Sequence, residues 1–299
     1  MVAVQSFWCK PFLNNNKHNL LERYLGGFPN LEYFYYSWMV SFLQLKKVFG
    51  EVRLITDDDG KELLVDYLKI PYDHVSLDLN KIQDERADMW TLGKIYCYSS
   101  IKEPFVHCDG DLIVFEDLKN KVLNKDLFSE YHTRTQDANY TGFVKYLVNS
   151  TLDLPISVIE DVKRNVPFIY EEYNTGLFGG IDYSFINEYA KIALDLYYKN
   201  KLSFDKSNIH LSFFGIICEQ YILNCEVKMR GKEMYPVKDG TTTSPNCKEE
   251  IILYESGEHL MPFLHLNGPQ NKSDKIVLDF LDKLVSSQYP DIRTFFKKL

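Results

Sequence analysis

Phe105-Val106-His107-Cys108-Asp109-Gly110-Asp111-Leu112-Ile113-Val114 places two aspartates between two apolar runs. A carboxylate is costly in an apolar strand unless it is solvated or paired with a cation. Strand alternation puts residues 109 and 111 on one face, and Gly110 lets the backbone turn or a ligand approach closely. Two hard oxygen ligands on one side suit Mg²⁺ or Mn²⁺. A plain surface turn explains the same residues, because Asp-Gly is a common hairpin signal and a hairpin would also carry apolar flanks. Both readings stand at this point.

Outward from this string, the N-terminal half alternates strand-like and helix-like segments, the pattern of a mostly parallel sheet covered by helices. Val2 to Trp8 is expected as a strand. Leu31 to Val48 has helical periodicity, with Gly50 as a stop signal just beyond it. Val52 to Thr56 reads as a buried strand running into the acidic turn Asp57-Asp58-Asp59-Gly60. A short helix over Lys61 to Leu68 and a strand over Val75 to Leu79 follow. Ala87 to Ser99 reads as a helix with Met89, Leu92, Ile95 and Tyr96 on one side. The stretch from Asn120 to Val166 shows no regular period. Beyond it, helices are expected over Tyr183 to Asn200, His210 to Asn224 and Asp274 to Leu299. A polar loop is expected over Lys238 to Asn246, and a strand over Leu260 to Leu266.

The chain has 299 residues, of which 45% are hydrophobic and 15% aromatic, enough for a substantial core. With 34 basic and 42 acidic residues the net charge is −8, which argues against a nucleic-acid partner, since phosphate binding needs a basic face. The six cysteines show no CxxC spacing and several lie in apolar runs, so reduced, packed thiols in a cytoplasmic protein are expected. Met1 to Trp8 lacks the basic start of a signal peptide, and no run approaches the roughly 18 apolar residues of a membrane span. There is no GxxxxGK[ST] loop, no GxGxxG after a strand, no GxSxG and no HExxH.

Four islands in order carry a resemblance. They are Asp109-Gly110-Asp111, Tyr173-Asn174-Thr175-Gly176-Leu177, Glu219-Gln220-Tyr221-Ile222-Leu223-Asn224 and His265-Leu266-Asn267-Gly268. Together they resemble the DxD, Asn-x-Gly, acidic-Gln-x-x-Leu-Asn and His-x-x-Gly motifs of GT-A glycosyltransferases, family 8 in particular. The likeness spans residues 1 to 272, but only the islands are specific. The family continues its last motif with Lys-Pro-Trp. Here Asn271 takes the lysine position, Lys272 comes one later, and Pro-Trp is missing.

The resemblance implies an α/β protein of GT-A type, a Rossmann-like mixed sheet flanked by helices, occupying residues 1–272. Residues 273–299 would form a C-terminal helical extension packed on the same domain. It implies that Asp109, Asp111 and His265 hold Mn²⁺ or Mg²⁺, bridging the diphosphate of a nucleotide-sugar, UDP-linked by expectation. Gln5, Ser6, Phe7, Thr56 and Asp57 would frame the nucleotide. Lys94 and Lys272 would reach the diphosphate, with Gly110 and Gly268 at the donor, and Arg86 and Asp88 nearby. Asn174 and Glu219 would bind sugar or acceptor hydroxyls, and the Gln220 amide would stabilise charge at the anomeric carbon. The implied activity is sugar transfer to a hydroxyl of a glycan or small acceptor, with retention of configuration. Two rivals share the scaffold. A nucleotidyltransferase would show a glycine-rich basic loop after the first strand, where this chain has Cys9-Lys10-Pro11-Phe12-Leu13-Asn14. A non-catalytic nucleotide-sugar-binding protein would have a degraded site.

Overall fold

The computed structural model describes residues 1–13, 26–115, 117–206, 211–238, 246–257 and 261–298. Most of the loop expected over Lys238 to Asn246 lies outside them, as does His210. In chain order the strands are β1 (Val2–Phe7), β2 (Val52–Thr56), β3 (His74–Ser76), β4 (Phe105–Cys108), β5 (Leu112–Val114) and β6 (Phe128–Ser129). They continue with β7 (His132–Thr135), β8 (Tyr170–Tyr173), β9 (Leu177–Gly180), β10 (Tyr235–Pro236) and β11 (Phe263–His265). Helices flank these strands, so the chain is mixed α/β with helical additions at its C-terminal end. It forms two compact units, each assembled from separated segments.

One unit gathers Val2–Gln83, His107–Lys121 and Pro245–Leu299. Here β1 and β2 pair in parallel with Ala3 opposite Val52 and Phe7 opposite Thr56, and β2 pairs in parallel with β3. β11 pairs antiparallel with β5, placing His265 opposite Leu112. The helix Leu31–Phe49 begins where Asn30 accepts the Tyr33 N–H and ends where Gly50, at φ 85°, donates to the Lys46 carbonyl. Its buried face carries Phe34, Trp38, Phe42 and Leu45, a helical spacing that covers the apolar strands Val2–Val4 and Val52–Leu54. The C-terminal helix is capped by Asp274, whose carboxylate accepts the Ile276 N–H.

The other unit holds Asp84–Val106 and Val122–Ser244, with Met1. β6 pairs antiparallel with β9 and parallel with β10, while β7 and β8 form an antiparallel ribbon with His132 opposite Tyr173. Gly179 is required by close packing, because a Cβ there would lie 2.1 Å from the Phe105 carbonyl oxygen. Helices Leu92–Ser100 and Tyr183–Lys206 supply much of the apolar packing, with Ile95, Tyr98, Ile186, Tyr189 and Ala193 all buried.

Several expected elements differ. Residues 77–79 leave the strand and enter a 3₁₀ turn over Asp78–Ile82, where Ser76 and Asp78 bond to each other. The helix expected from Ala87 starts only at Leu92, because Asp88 is used by the Arg86 guanidinium and the Leu211 N–H. The helix expected over Lys61–Leu68 is present but π-helical, Glu62–Tyr67, and a short α-turn, Asp58–Lys61, precedes it. The region without a period contains helices at Ala138–Val148 and Ile156–Arg164. The C-terminal segment is two helices, Lys275–Gln288 and Pro290–Phe296, broken at Tyr289 because a residue preceding proline avoids the helical region.

Candidate metal centre

Asp109 and Asp111 leave β4 and enter β5 through a loop held by the helix Leu31–Phe49. Ser37 Oγ donates to the Gly110 carbonyl at 3.1 Å, and Ser41 Oγ donates to the Leu112 carbonyl at 2.5 Å. Ser41 in turn accepts from Gln5 Nε2 at 2.9 Å, and Gln5 Oε1 accepts from the Tyr72 hydroxyl at 2.7 Å. Trp38, one residue from Ser37, lies flat against Gly110, where a Cβ would come within 2.2 Å of the indole. Glycine is therefore demanded here by the Trp38 ring. The loop that presents both carboxylates is clamped from below, which is the preorganisation that ligands need.

His265 arrives from the far end of the sequence through the β5–β11 pairing. The ladder continues one step past it, where the Leu266 N–H donates to the Asp111 carbonyl at 3.0 Å. This register brings His265 Nε2 to 3.3 Å from Asp111 Oδ1 and 3.9 Å from Asp109 Oδ2. One ligand atom from each of the three side chains lies within 4.8 Å of the others. Gly268 then turns the chain at φ 79°, ψ 153°, a left-handed conformation that side chains rarely adopt, and starts the short helix Pro269–Ser273. That helix returns Lys272 to the loop, with its Nζ 2.6 Å from Asp111 Oδ2. Burial pushes the Asp111 carboxyl upward, yet the Lys272 ammonium and His265 outweigh it and hold it well below the ordinary carboxylate range.

The donor set fits a divalent cation. Two carboxylates and an imidazole nitrogen converge, hard oxygens predominate, and one imidazole is better tolerated by Mn²⁺ than by Mg²⁺. The backbone on both sides of the site is fixed by sheet pairing and by Ser37 and Ser41, so the candidate ligands come from a clamped loop and a strand, both on rigid supports.

The nucleotide-frame residues lie in the same unit but are committed elsewhere. Gln5, Thr56 and Asp57 are fully buried, and Phe7 is nearly so. Thr56 Oγ1 donates to the Phe7 carbonyl at 2.6 Å. Phe7 packs against Phe12, Phe34 and Trp38. The Asp57 carboxylate accepts from the backbone N–H of Cys9 and Gly60 and from Gln83 Nε2, so the hydrogen bonds expected toward a base are met inside the protein. Ser6 is half-buried, with its hydroxyl 2.9 Å from His107 Nε2.

The other unit brings Lys94, Thr175 and Glu219 together, with Asn174 next to Thr175 in the chain. Lys94 Nζ lies 2.7 Å from Glu219 Oε1, which also accepts from Thr175 Oγ1 at 2.6 Å. Glu219 is fully buried, and among the described residues its Oε2 has no hydrogen-bond partner. Tyr189 donates its hydroxyl to the Glu219 carbonyl. Asn174 closes a local turn by accepting the Gly176 N–H at 2.9 Å and donates to the Tyr131 hydroxyl at 3.2 Å, which is the local reason for Asn-x-Gly. Glu219 and the half-buried Gln220 sit in a π-helical segment, Ile217–Tyr221, inside an otherwise α-helical run, a feature frequent at functional sites.

The family model that matches the chain covers residues 1–298. The chain belongs to the DUF6734 family, a family of unknown function. Among solved structures it is similar to mouse xyloside xylosyltransferase 1 in its apo form. That likeness has 9% identity and a TM-score of 0.38, over 89% of this chain and 97% of the other. No curated protein matches the sequence.

In this DUF6734 member some residues that build the two clusters are not evident from the motifs. Ser37, Trp38 and Ser41 position the aspartate loop, and two serines four apart on an aromatic, buried helix face are the signal that could have marked them. Thr175, the unspecified residue of Asn-x-Gly, anchors Glu219. Glu172, buried and bonded by the Tyr170 hydroxyl at 2.5 Å, lies in β8, where a run of polar residues gave no periodic cue.

Proposed function

We propose that the protein is a metal-dependent glycosyltransferase of GT-A type, moving a sugar from a UDP-linked donor to a hydroxyl of a glycan or small acceptor with retention. The observation that carries this reading is the convergence of Asp109, Asp111 and His265 within 4.8 Å, from a loop and a strand far apart in sequence. A coincidental turn at Asp109-Gly110-Asp111 gives no reason for a histidine to be delivered to it by a separate strand. Residues 1–272 are assigned to the transferase body and 273–299 to its helical extension.

On this reading Asp109, Asp111 and His265 hold Mn²⁺, or Mg²⁺ in its place. When bound, the ion would neutralise negative charge on the leaving diphosphate as a Lewis acid and template. Lys272, which already serves an anion in Asp111, would donate to a phosphate oxygen. Gly268 keeps the backbone beside the ligands free of a side chain, and Gly110 lets the Trp38 indole brace the loop that carries the two aspartates. Gln5, Phe7, Thr56 and Asp57 act by shaping the strand ends, leaving Ser6 as the polar side chain for the nucleotide. Glu219 Oε2 is suited to accept from a sugar hydroxyl, with Lys94 and Thr175 holding the other oxygen. Asn174 and Gln220 complete the sugar and acceptor contacts, Gln220 through its amide. Having no partner for Glu219 Oε2 among the described residues supports a ligand-facing role, because a buried carboxylate oxygen left without a donor is costly.

Thermal melting with UDP and Mn²⁺, each alone and together, tests the reading. A ligand at about 100 times its Kd stabilises by roughly 2.7 kcal/mol, a rise of several degrees. The pair together should raise Tm well beyond either alone, and Asp111→Asn and His265→Ala should each abolish the Mn²⁺-dependent part. Wild type showing no added shift with the pair defeats the proposal.

A further inference from the structure

Lys272 is built into the metal centre more closely than a surface lysine beside an acid. Its ammonium meets Asp111 Oδ2 and donates to the Gly26 carbonyl, each at 2.6 Å, and lies 5.4 Å from the centre of the Phe28 ring. The side chain is 12% exposed. Gly27 makes room for its stem, because a Cβ at that position would stand 3.1 Å from Lys272 Cδ and 3.2 Å from the Pro269 Cα. Gly27 also has φ +93°, which strains any replacement. The run Gly26-Gly27-Phe28 thus supplies an acceptor, a gap and an aromatic face for one ammonium.

That seat competes with a cation. Asp111 Oδ2 is held by Lys272, and Asp111 Oδ1 faces His265 Nε2 at 3.3 Å, so both oxygens of the carboxylate are already engaged. A divalent ion brought to Asp111 with the ammonium still in place would be repelled by it at close range in a poorly hydrated setting, where charges interact strongly. Moving the ammonium away without a new anion would leave a buried positive charge poorly compensated. An anion with several charged oxygens, such as a diphosphate, resolves both difficulties by receiving the ammonium and leaving Asp111 to the metal.

We propose that Lys272 is the resident counter-ion of Asp111, displaced from it when a divalent ion and a diphosphate-bearing ligand bind together, so that each tightens the other. The inference rests on reading Asp109, Asp111 and His265 as a metal centre. Because coupling between two ligands is reciprocal, UDP strengthens Mn²⁺ binding by the same factor by which Mn²⁺ strengthens UDP binding.

Electron paramagnetic resonance of free Mn²⁺ during titration of the full chain reads the metal affinity without any turnover. Lys272→Met removes the competing charge and should bind Mn²⁺ alone roughly tenfold tighter than wild type, or more. After allowance for the Mn²⁺ that UDP chelates in solution, the factor by which saturating UDP tightens Mn²⁺ should be roughly tenfold larger in wild type than in Lys272→Met, the remainder being direct attraction between ion and diphosphate. Lys272→Gln, which keeps a donor for the Gly26 carbonyl, should behave like Lys272→Met and serves if the methionine variant does not fold. Unchanged or weaker Mn²⁺ binding in the folded variants overturns the inference, since a purely structural lysine would give that result. If those variants equal wild type while Asp111→Asn loses Mn²⁺, the metal centre stands and only the lysine exchange falls. If wild type and variants all fail to bind Mn²⁺, both fall together.

Discussion

Gly110 shows how a single residue couples fold to site. Its missing side chain lets the Trp38 indole press on the loop, while the Ser37 hydroxyl holds the loop's carbonyl from the same helix. Gly110→Ala would drive a Cβ into the indole at 2.2 Å, so either the ring or the loop must shift. Overpacking of this kind costs about 1–3 kcal/mol, and denaturant unfolding should show a loss of that size together with weaker Mn²⁺ binding. Trp38→Leu in the same chain should recover part of the metal binding, because the two residues share one contact and their effects are not additive. The three candidate metal ligands were legible in the sequence as residue types with suitable chemistry. Their supports were not, because Ser37 and Trp38 act through packing that only the helix-to-loop register creates.

At the level of elements, periodicity was reliable where burial is one-sided and long. The helix Leu31–Phe49 and the strand Val52–Thr56 follow their patterns within a residue, as their caps and apolar spacing dictate. Reading failed where side chains compete with the backbone. Asp78 bonds to nearby Ser76, Asp88 bonds to nearby Arg86 and to the distant Leu211 N–H, and these shorten a strand and a helix, while Pro290 splits the final helix. The π-helical turn that carries Glu219 and Gln220 has no sequence signature, since it depends on one extra residue being accommodated within a buried helix. Beside it, burial raises the Glu172 carboxyl to about 7, the Tyr170 hydroxyl lowers it in part, and the charge on Glu219 raises it further. With an ordinary value of 4.5, native Glu172 keeps its proton over a range where the unfolded chain has lost it. The native state then binds more protons, so this contribution is fully present below about pH 4.5 and is lost as pH rises toward 7. Its size is up to about 3 kcal/mol. Unfolding of Glu172→Gln measured from pH 4.5 to 8 should lack this decline. A decline equal to that of wild type would remove Glu172 as its source.

For the whole molecule, composition excluded more than it revealed. A net charge of −8 argues against nucleic acid as the main partner, and among the described residues no helix is long and apolar enough to cross a membrane. The two compact units interleave in sequence, and no composition shift marks where the chain passes between them. The first and last of the four short motifs held more information than any bulk property, because they named residues that pairing of β5 with β11 does bring together. The central claim is that this centre holds the ion through which a nucleotide-sugar is used. Its most direct measurement is release of UDP from a panel of UDP-sugars by wild type in Mn²⁺, after metal removal with EDTA, and by Asp111→Asn. The account predicts release in Mn²⁺ with at least one donor, its loss in EDTA, its return on adding Mn²⁺, and none from Asp111→Asn. Release that continues unchanged in EDTA, or in Asp111→Asn, would contradict it.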